Sequence, residues 1–231
     1  MVAARIGAAV FGLALSAIAA LFALSEYRAF LQWSVPPSDL VAGVPREGMV
    51  WAPARSIRTE DEQMAACIRA YQSVMYRLAD DEQRAALANA CFLRAGAILD
   101  ASPTRSAAHL ARAMSAEERG DTWAALDRLR LSAATGANVG WLAYRRVRFG
   151  LALLDTHSDN AGFANRVLPL IEADVVVLAT EPSLTPALAS LYVTNEAAQD
   201  WMTALVEQQP PEIQRAFLAR VRAVLQPAAG S

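Results

Sequence analysis

Residues 106–138 read SAAHLARAMSAEERGDTWAALDRLRLSAATGAN. Two helix-length segments rich in Ala and Leu flank Gly120-Asp121, and a second glycine, Gly136, ends the pair. Glycine lets a helix finish in the left-handed conformation, and an Asp directly after it is a strong N-cap. The stretch therefore predicts helix, turn, helix, with the partners antiparallel because the turn is so short.

The rest of the chain has the same character. Of 231 residues, 55% are hydrophobic, and the abundance of Ala and Leu favours an all-α fold. The net charge is -2, without the basic excess that nucleic-acid binding needs, so no nucleic-acid partner is expected. All 21 basic residues are Arg, so each can grip a carboxylate or phosphate with two parallel hydrogen bonds.

Upstream, Ile6–Leu24 (IGAAVFGLALSAIAALFAL) is a run of 19 uncharged residues, long enough to cross a bilayer as a helix. Tyr27, Phe30 and Trp33 follow at helical spacing, as aromatics at a membrane interface do. A single signal anchor is expected, with the following domain exported. The rival reading is a cleaved signal peptide, because Ala17-Ile18-Ala19 fits a small-x-small site. The apolar run continues past that site and exceeds a usual signal core, which favours the uncleaved anchor. Pro36, Pro37, Gly43, Pro45, Gly48 and Pro53 then break helix repeatedly, predicting an extended linker in which Val50-Trp51 could dock. The expected organisation is an anchor and juxtamembrane helix over 1–33, a Pro-rich linker over 34–57, a helical domain over 58–226 and a disordered tail over 227–231.

Within the domain, Thr59-x-x-Glu62 reads as a capping box opening a helix that runs to about Ala79. Asp80 caps the next, whose buried face is Leu87, Cys91, Ala95 and Ile98. Cys67 and Cys91 stand equally far from the turn, so a disulfide across the hairpin is expected in an oxidising compartment, and two reduced buried thiols in the cytosol. Ser102-Pro103 reads as the start of a third helix. Further helices are expected over Trp141–Leu154, over Ala161–Leu178 with a break at Pro169 and a cap at Asn160, from Thr185-Pro186, over Asn195–Gln208 and over Glu212–Leu225.

GDTWAALDRLRLSAATGAN resembles the second half of a tetratricopeptide repeat, with small Ala125, large Leu129 and small Ser132 at the interlocking positions. In the first half, Ala113 suits a close helix approach, while His109 and Arg112 replace the usual Trp and Leu. The resemblance covers one repeat and implies an α-solenoid-like array of antiparallel hairpins that binds a protein or peptide. The segment Arg119–Arg148, running into Trp141-x-x-x-Arg145-Arg146, is also similar to small accessory proteins of bacterial exopolysaccharide clusters. That likeness implies a role in polysaccharide synthesis or export.

No nucleophile motif, phosphate loop, dinucleotide fingerprint or zinc-ligand spacing is present, so no catalytic residue, cofactor or metal is expected. Glu60-Asp61-Glu62 and Asp80-Asp81-Glu82 read as solvated first turns, and Trp123 and Trp141 as core. Arg145, Arg146 and Arg148 crowd the polar sides of the helix over Trp141–Leu154, and Arg145 and Arg148 share a face. With Arg128 and Arg130 on the preceding helix, these two form the one patch that suggests binding; the alternative is that they pair with Asp127, Asp155 and similar carboxylates or face water. The patch would suit an anionic partner protein, lipid headgroups or an acidic glycan. The expected function is that of a single-pass protein of the bacterial inner membrane. Its periplasmic, tetratricopeptide-like domain would bind a protein partner in an envelope assembly without catalysis of its own. The alternative is an accessory of exopolysaccharide biosynthesis or export.

Overall fold

Among the described residues every element is helical, as the Ala and Leu content requires. The computed structural model describes residues 2–43, 50–160 and 162–226, the side chains of residues 2–9 excepted. Pro45 and Gly48 of the expected linker, Ala161 at an expected helix start, and the tail 227–231 lie outside the described residues.

The chain divides into two compact units. The first comprises Met1–Pro103 and Met114–Gly120, the second Thr104–Ala113 and Asp121–Ser231. In the first, α1 (Val2–Trp33) is followed by α2 (Pro37–Ala42), α3 (Ile57–Tyr71), α4 (Val74–Leu78) and α5 (Asp81–Ala101). Helix α2 lies within the stretch expected to be extended. Pro37 occupies its first position, where the missing N–H costs nothing. Trp51 is buried, whereas neighbouring Val50 is 83% exposed.

Local hydrogen bonds correct three expected helix boundaries. Helix α3 starts at Ile57 rather than Thr59, because Ser56 Oγ accepts the Thr59 N–H at 3.1 Å and serves as the cap. The helix expected to reach Ala79 stops at Tyr71. Ser73 Oγ donates to the Ala70 carbonyl at 2.7 Å and accepts from the Tyr76 N–H at 3.1 Å, so its side chain replaces the helical ladder and starts α4. Ser102-Pro103 does not open a helix. Proline excludes the helical conformation from the residue before it, so Ser102 sits at φ -149°, ψ 91° and terminates α5. Asp80 caps α5 as expected, accepting the Gln83 N–H at 2.8 Å. Cys67 on α3 and Cys91 on α5 form a disulfide with Cα atoms 6.0 Å apart, among buried Met64, Ile68, Leu87, Ala95 and Ile98.

Helix α6 (Ser106–Glu118) begins in the second unit and ends in the first. Gly120 follows it at φ +77°, a conformation that disfavours any side chain, and Asp121 then caps α7 (Thr122–Thr135) through the Ala124 N–H at 3.1 Å. The second unit continues with α8 (Gly140–Thr156), α9 (Ala164–Thr180), α10 (Thr185–Thr194), a 3-10 turn (Glu196–Ala198), α11 (Gln199–Glu207) and α12 (Pro211–Leu225). Asn160 does not cap α9. Its side chain accepts from the Gly162 N–H at 3.2 Å and its carbonyl from the Phe163 N–H at 2.8 Å, which delays the helix to Ala164. Nor does Pro169 interrupt α9, which runs through to Thr180 with Val167, Ile171, Val175 and Leu178 buried. A β-carbon on Gly150 would stand 2.9 Å from Ile171 Cδ1, so this glycine sets how closely α8 approaches α9. Tyr192 of α10 meets Phe217 of α12 edge-on at 5.4 Å. The units are thus built from packed helix pairs, an arrangement compatible with a helical repeat.

Candidate functional site

The basic residues of α7 and α8 do not share one environment. Arg130 is exposed and 3.9 Å from Asp127, a surface pair of little energetic weight. Arg128 is half-buried on α7. Arg145 and Arg148, three residues apart on α8, are also half-buried, and the Arg145 guanidinium lies 5.3 Å from the Tyr144 ring centre. These three keep their charge near the surface.

Arg146 does the opposite. It is fully buried, and so is Asp174 on α9. Arg146 donates from Nε to Asp174 Oδ2 at 2.7 Å and from one terminal nitrogen to Oδ1 at 2.5 Å. The same nitrogen reaches the Gly136 carbonyl at 3.1 Å, and the other reaches Ser106 Oγ and the Ser132 carbonyl, each at 3.3 Å. All five N–H donors of the guanidinium therefore have an acceptor. Ser106 Oγ also donates to the Ser132 carbonyl at 2.7 Å, and Ser132 Oγ to the Ser106 carbonyl at 3.0 Å. Burial pushes the Asp174 carboxyl up, and the hydrogen bonds and charge of Arg146 pull it down. Arginine does not give up its proton in a protein interior, so it needs this carboxylate beside it. The cluster ties the start of α6 and the end of α7 to α8 and α9. It is a structural clasp, and the sequence reading missed it by grouping Arg146 with its flanking arginines. The signal was the register: Arg146 falls on the stripe Leu142, Gly150, Leu153, and Asp174 on the stripe Val167, Ile171, Leu178, all buried.

The second notable site lies where α1 meets α3. Glu26, halfway down the polar end of α1, accepts the backbone N–H of Ser56 at 2.8 Å and the Ser56 hydroxyl at 3.0 Å, and also bonds the Arg55 N–H and the Thr59 hydroxyl. Gln32 donates to the Val50 carbonyl at 2.9 Å and accepts from the Ala52 N–H at 2.6 Å. Ser25 Oγ donates to the Pro53 carbonyl at 2.9 Å, and the Arg55 guanidinium lies 5.2 Å from the Phe22 ring centre. The segment before α3 is thus fastened along α1 over two turns and more. The stretch Val10–Trp33, which includes the fastened residues at its end, is 24 residues of mean hydropathy 1.8 whose best apolar window is not buried at all, so this helix is apolar enough to span a membrane.

Other expectations resolve individually. Trp123 and Trp141 are not core: they are 57% and 42% exposed, and Arg166 stacks 4.8 Å from the Trp123 ring. Glu60 is not a solvated first-turn carboxylate but pairs with Arg94 at 3.3 Å, and Arg94 Nε donates to buried Gln63 at 2.8 Å. Burial lowers the Arg94 guanidinium, and Glu60 opposes this. His109 is buried on α6. His157 meets Phe163 at 4.6 Å between ring centres and Thr122 Oγ1 at 3.4 Å. Tyr71 and Tyr76 stack edge-on at 4.9 Å, and burial drives both phenols above their ordinary range. Among the described residues no group of three or more His, Cys, Asp or Glu is placed to hold a metal ion.

Among the described residues, an open groove is found in each unit. That of the first, about 660 Å³, is lined by Asp81, Arg84, Asn89, Glu118 and Arg119, with Arg84 bonded to Asp81 and 3.4 Å from Glu118. That of the second, about 550 Å³, has Leu151 and Leu154 beside Asp155, Asn195 and Glu196. Comparison with protein-family models, with curated proteins and with solved structures gives no match.

Proposed function

We propose that this chain is a membrane-anchored helical adaptor of a bacterial envelope. Helix α1 crosses the inner membrane once, the helical units stand on the periplasmic side, and their surface binds a protein partner without catalysing a reaction. The observation that carries this reading is α1, which leaves its apolar length unburied while its polar end is fastened to α3. A soluble protein would have covered so long an apolar helix. The Cys67–Cys91 disulfide supports the oxidising side of that membrane.

The tetratricopeptide-like reading of residues 106–138 belongs to the same proposal. Ala113, Ala125, Leu129 and Ser132 are all fully buried, as interlocking positions must be. Stacked hairpins present a binding surface without needing catalytic groups. Arg128, Arg145 and Arg148 supply its basic contacts, which suit an acidic partner face. The test is co-purification of a tagged full-length chain from membranes, with and without the paired changes Arg145→Glu and Arg148→Glu, alongside C-terminal reporter fusions. Partner capture that the charge reversals abolish, with the reporter active only outside the cytoplasm, is expected. A cytoplasmic reporter signal sinks the topology, and the absence of any charge-dependent partner sinks the adaptor role.

A further inference from the structure

We infer that the segment Pro53–Arg58 is a second membrane contact, lying in the lipid headgroup layer with Arg55 and Arg58 on lipid phosphates and Ile57 reaching toward the acyl chains. The inference rests on the reading of α1 as a membrane span.

The argument is one of register. At about 1.5 Å per residue, the uncharged run Ile6–Leu24 is about 28 Å long, close to the thickness of a hydrocarbon core. Leu24 therefore marks the boundary between acyl chains and headgroups. Phe22 lies about 3 Å inside it and Glu26 about 3 Å outside it by the same rise. The segment before α3 is fastened at this level: the Arg55 guanidinium sits 5.2 Å from the Phe22 ring, and the Arg55 and Ser56 amides bond Glu26. A helix that crosses the bilayer must carry this segment to the boundary with it.

The composition at that level suits the position. Arg55 and Arg58 are exposed cations within a few residues of each other. Guanidinium groups at the edge of the hydrocarbon place their stems in the apolar layer and their heads on phosphate. Ile57 is 68% exposed, which is unfavourable in water and favourable against lipid. Anionic phospholipid adds a surface potential that attracts both arginines. The domain is then held at the surface by the span and by this contact together, rather than hanging from a flexible tether.

The test uses the full chain in vesicles of phosphatidylethanolamine and phosphatidylglycerol. Both native cysteines are in the disulfide, so a single added cysteine takes an environment-sensitive fluorophore specifically. A label at Ile57→Cys is compared with Leu78→Cys, an exposed position on α4, and with Leu15→Cys inside the span. Phospholipids carrying a headgroup nitroxide, or brominated acyl chains, act as quenchers. Headgroup nitroxides are expected to quench the label at 57 several-fold more than the label at 78, and the pair Arg55→Ala with Arg58→Ala to remove most of that difference. If brominated chains quench position 15 while 57 behaves like 78, this inference is wrong and the anchor stands. Quenching at 57 that ignores the arginine changes overturns it equally. If position 15 is not quenched by brominated chains, the anchor itself fails and the inference falls with it.

Discussion

Changing Asp174 to Asn leaves the shape of the clasp nearly intact and removes its only negative charge. Arg146 would then be a cation with no exposed surface and no counter-charge, held only by the Ser106 hydroxyl, the Asn amide and the Gly136 and Ser132 carbonyls. Removing one member of a buried, hydrogen-bonded ion pair costs about 3–5 kcal/mol. For a chain of this size each kcal/mol lowers the melting temperature by about 2–4 °C, so D174N should melt roughly 6–20 °C lower. Replacing both partners by apolar residues, Arg146→Met with Asp174→Val, removes the uncompensated charge. In that variant the Ser132 carbonyl keeps the Ser106 hydroxyl as a donor, so the main loss is at the Gly136 carbonyl, about 1–3 kcal/mol. The double variant should therefore be more stable than D174N. Thermal melts of the full chain in detergent, followed by far-ultraviolet circular dichroism, would measure this, and hydrogen exchange would place the loss in α8 and α9. A shift below about 2 °C for D174N, or a double variant less stable than the single, would refute a buried ionic clasp.

Three further outcomes follow from other parts of the molecule. Reducing the Cys67–Cys91 bond, whose partners are 24 residues apart, should cost about 3.5 kcal/mol through the entropy of the freed loop; a melt unchanged by reductant would show that the bond does not form in solution. Tyr71 and Tyr76 keep their protons in the folded state to higher pH than in the unfolded chain, where a phenol titrates at about 10. The folded state binds more protons in that range, so stability should fall as pH rises above about 10, and two of the five tyrosines should ionise only as the helix signal is lost. All five ionising together in an intact fold would contradict their burial. Finally, Glu26→Ala should free the Arg55 and Ser56 amides to exchange roughly 10-fold faster or more, and unchanged protection there would show that α1 does not fasten this segment.

Local chemistry was legible where one residue does the work. Asp80 and Asp121 cap the helices that follow them and Gly120 turns the chain, because each acts through its own backbone or its nearest amides, while the last helix begins at Pro211, one residue before the expected Glu212. Boundaries failed where two candidates competed. Ser56 and Thr59 are both good caps, and the choice between them fell to Ser56, which Glu26 also holds from 30 residues away. The candidate site was half legible. Arg145 and Arg148 stand near the surface, but Arg146 between them is buried, and three arginines within four residues look alike until the facing helix is known.

By itself, then, the sequence determined the helical class, the apolar helix at the front and the placing of Cys67 opposite Cys91, while leaving open whether they bond. Propensity, hydropathy and distance from a turn are properties of short stretches. Tertiary structure decided which charges are structural and which face outward. It turned Arg146 and Asp174 inward as a pair, left Trp123 and Trp141 at the surface, and laid the segment before α3 along α1. The reason is that burying a charge or exposing an aromatic depends on what the opposite helix offers, and that partner lies dozens of residues away in the chain.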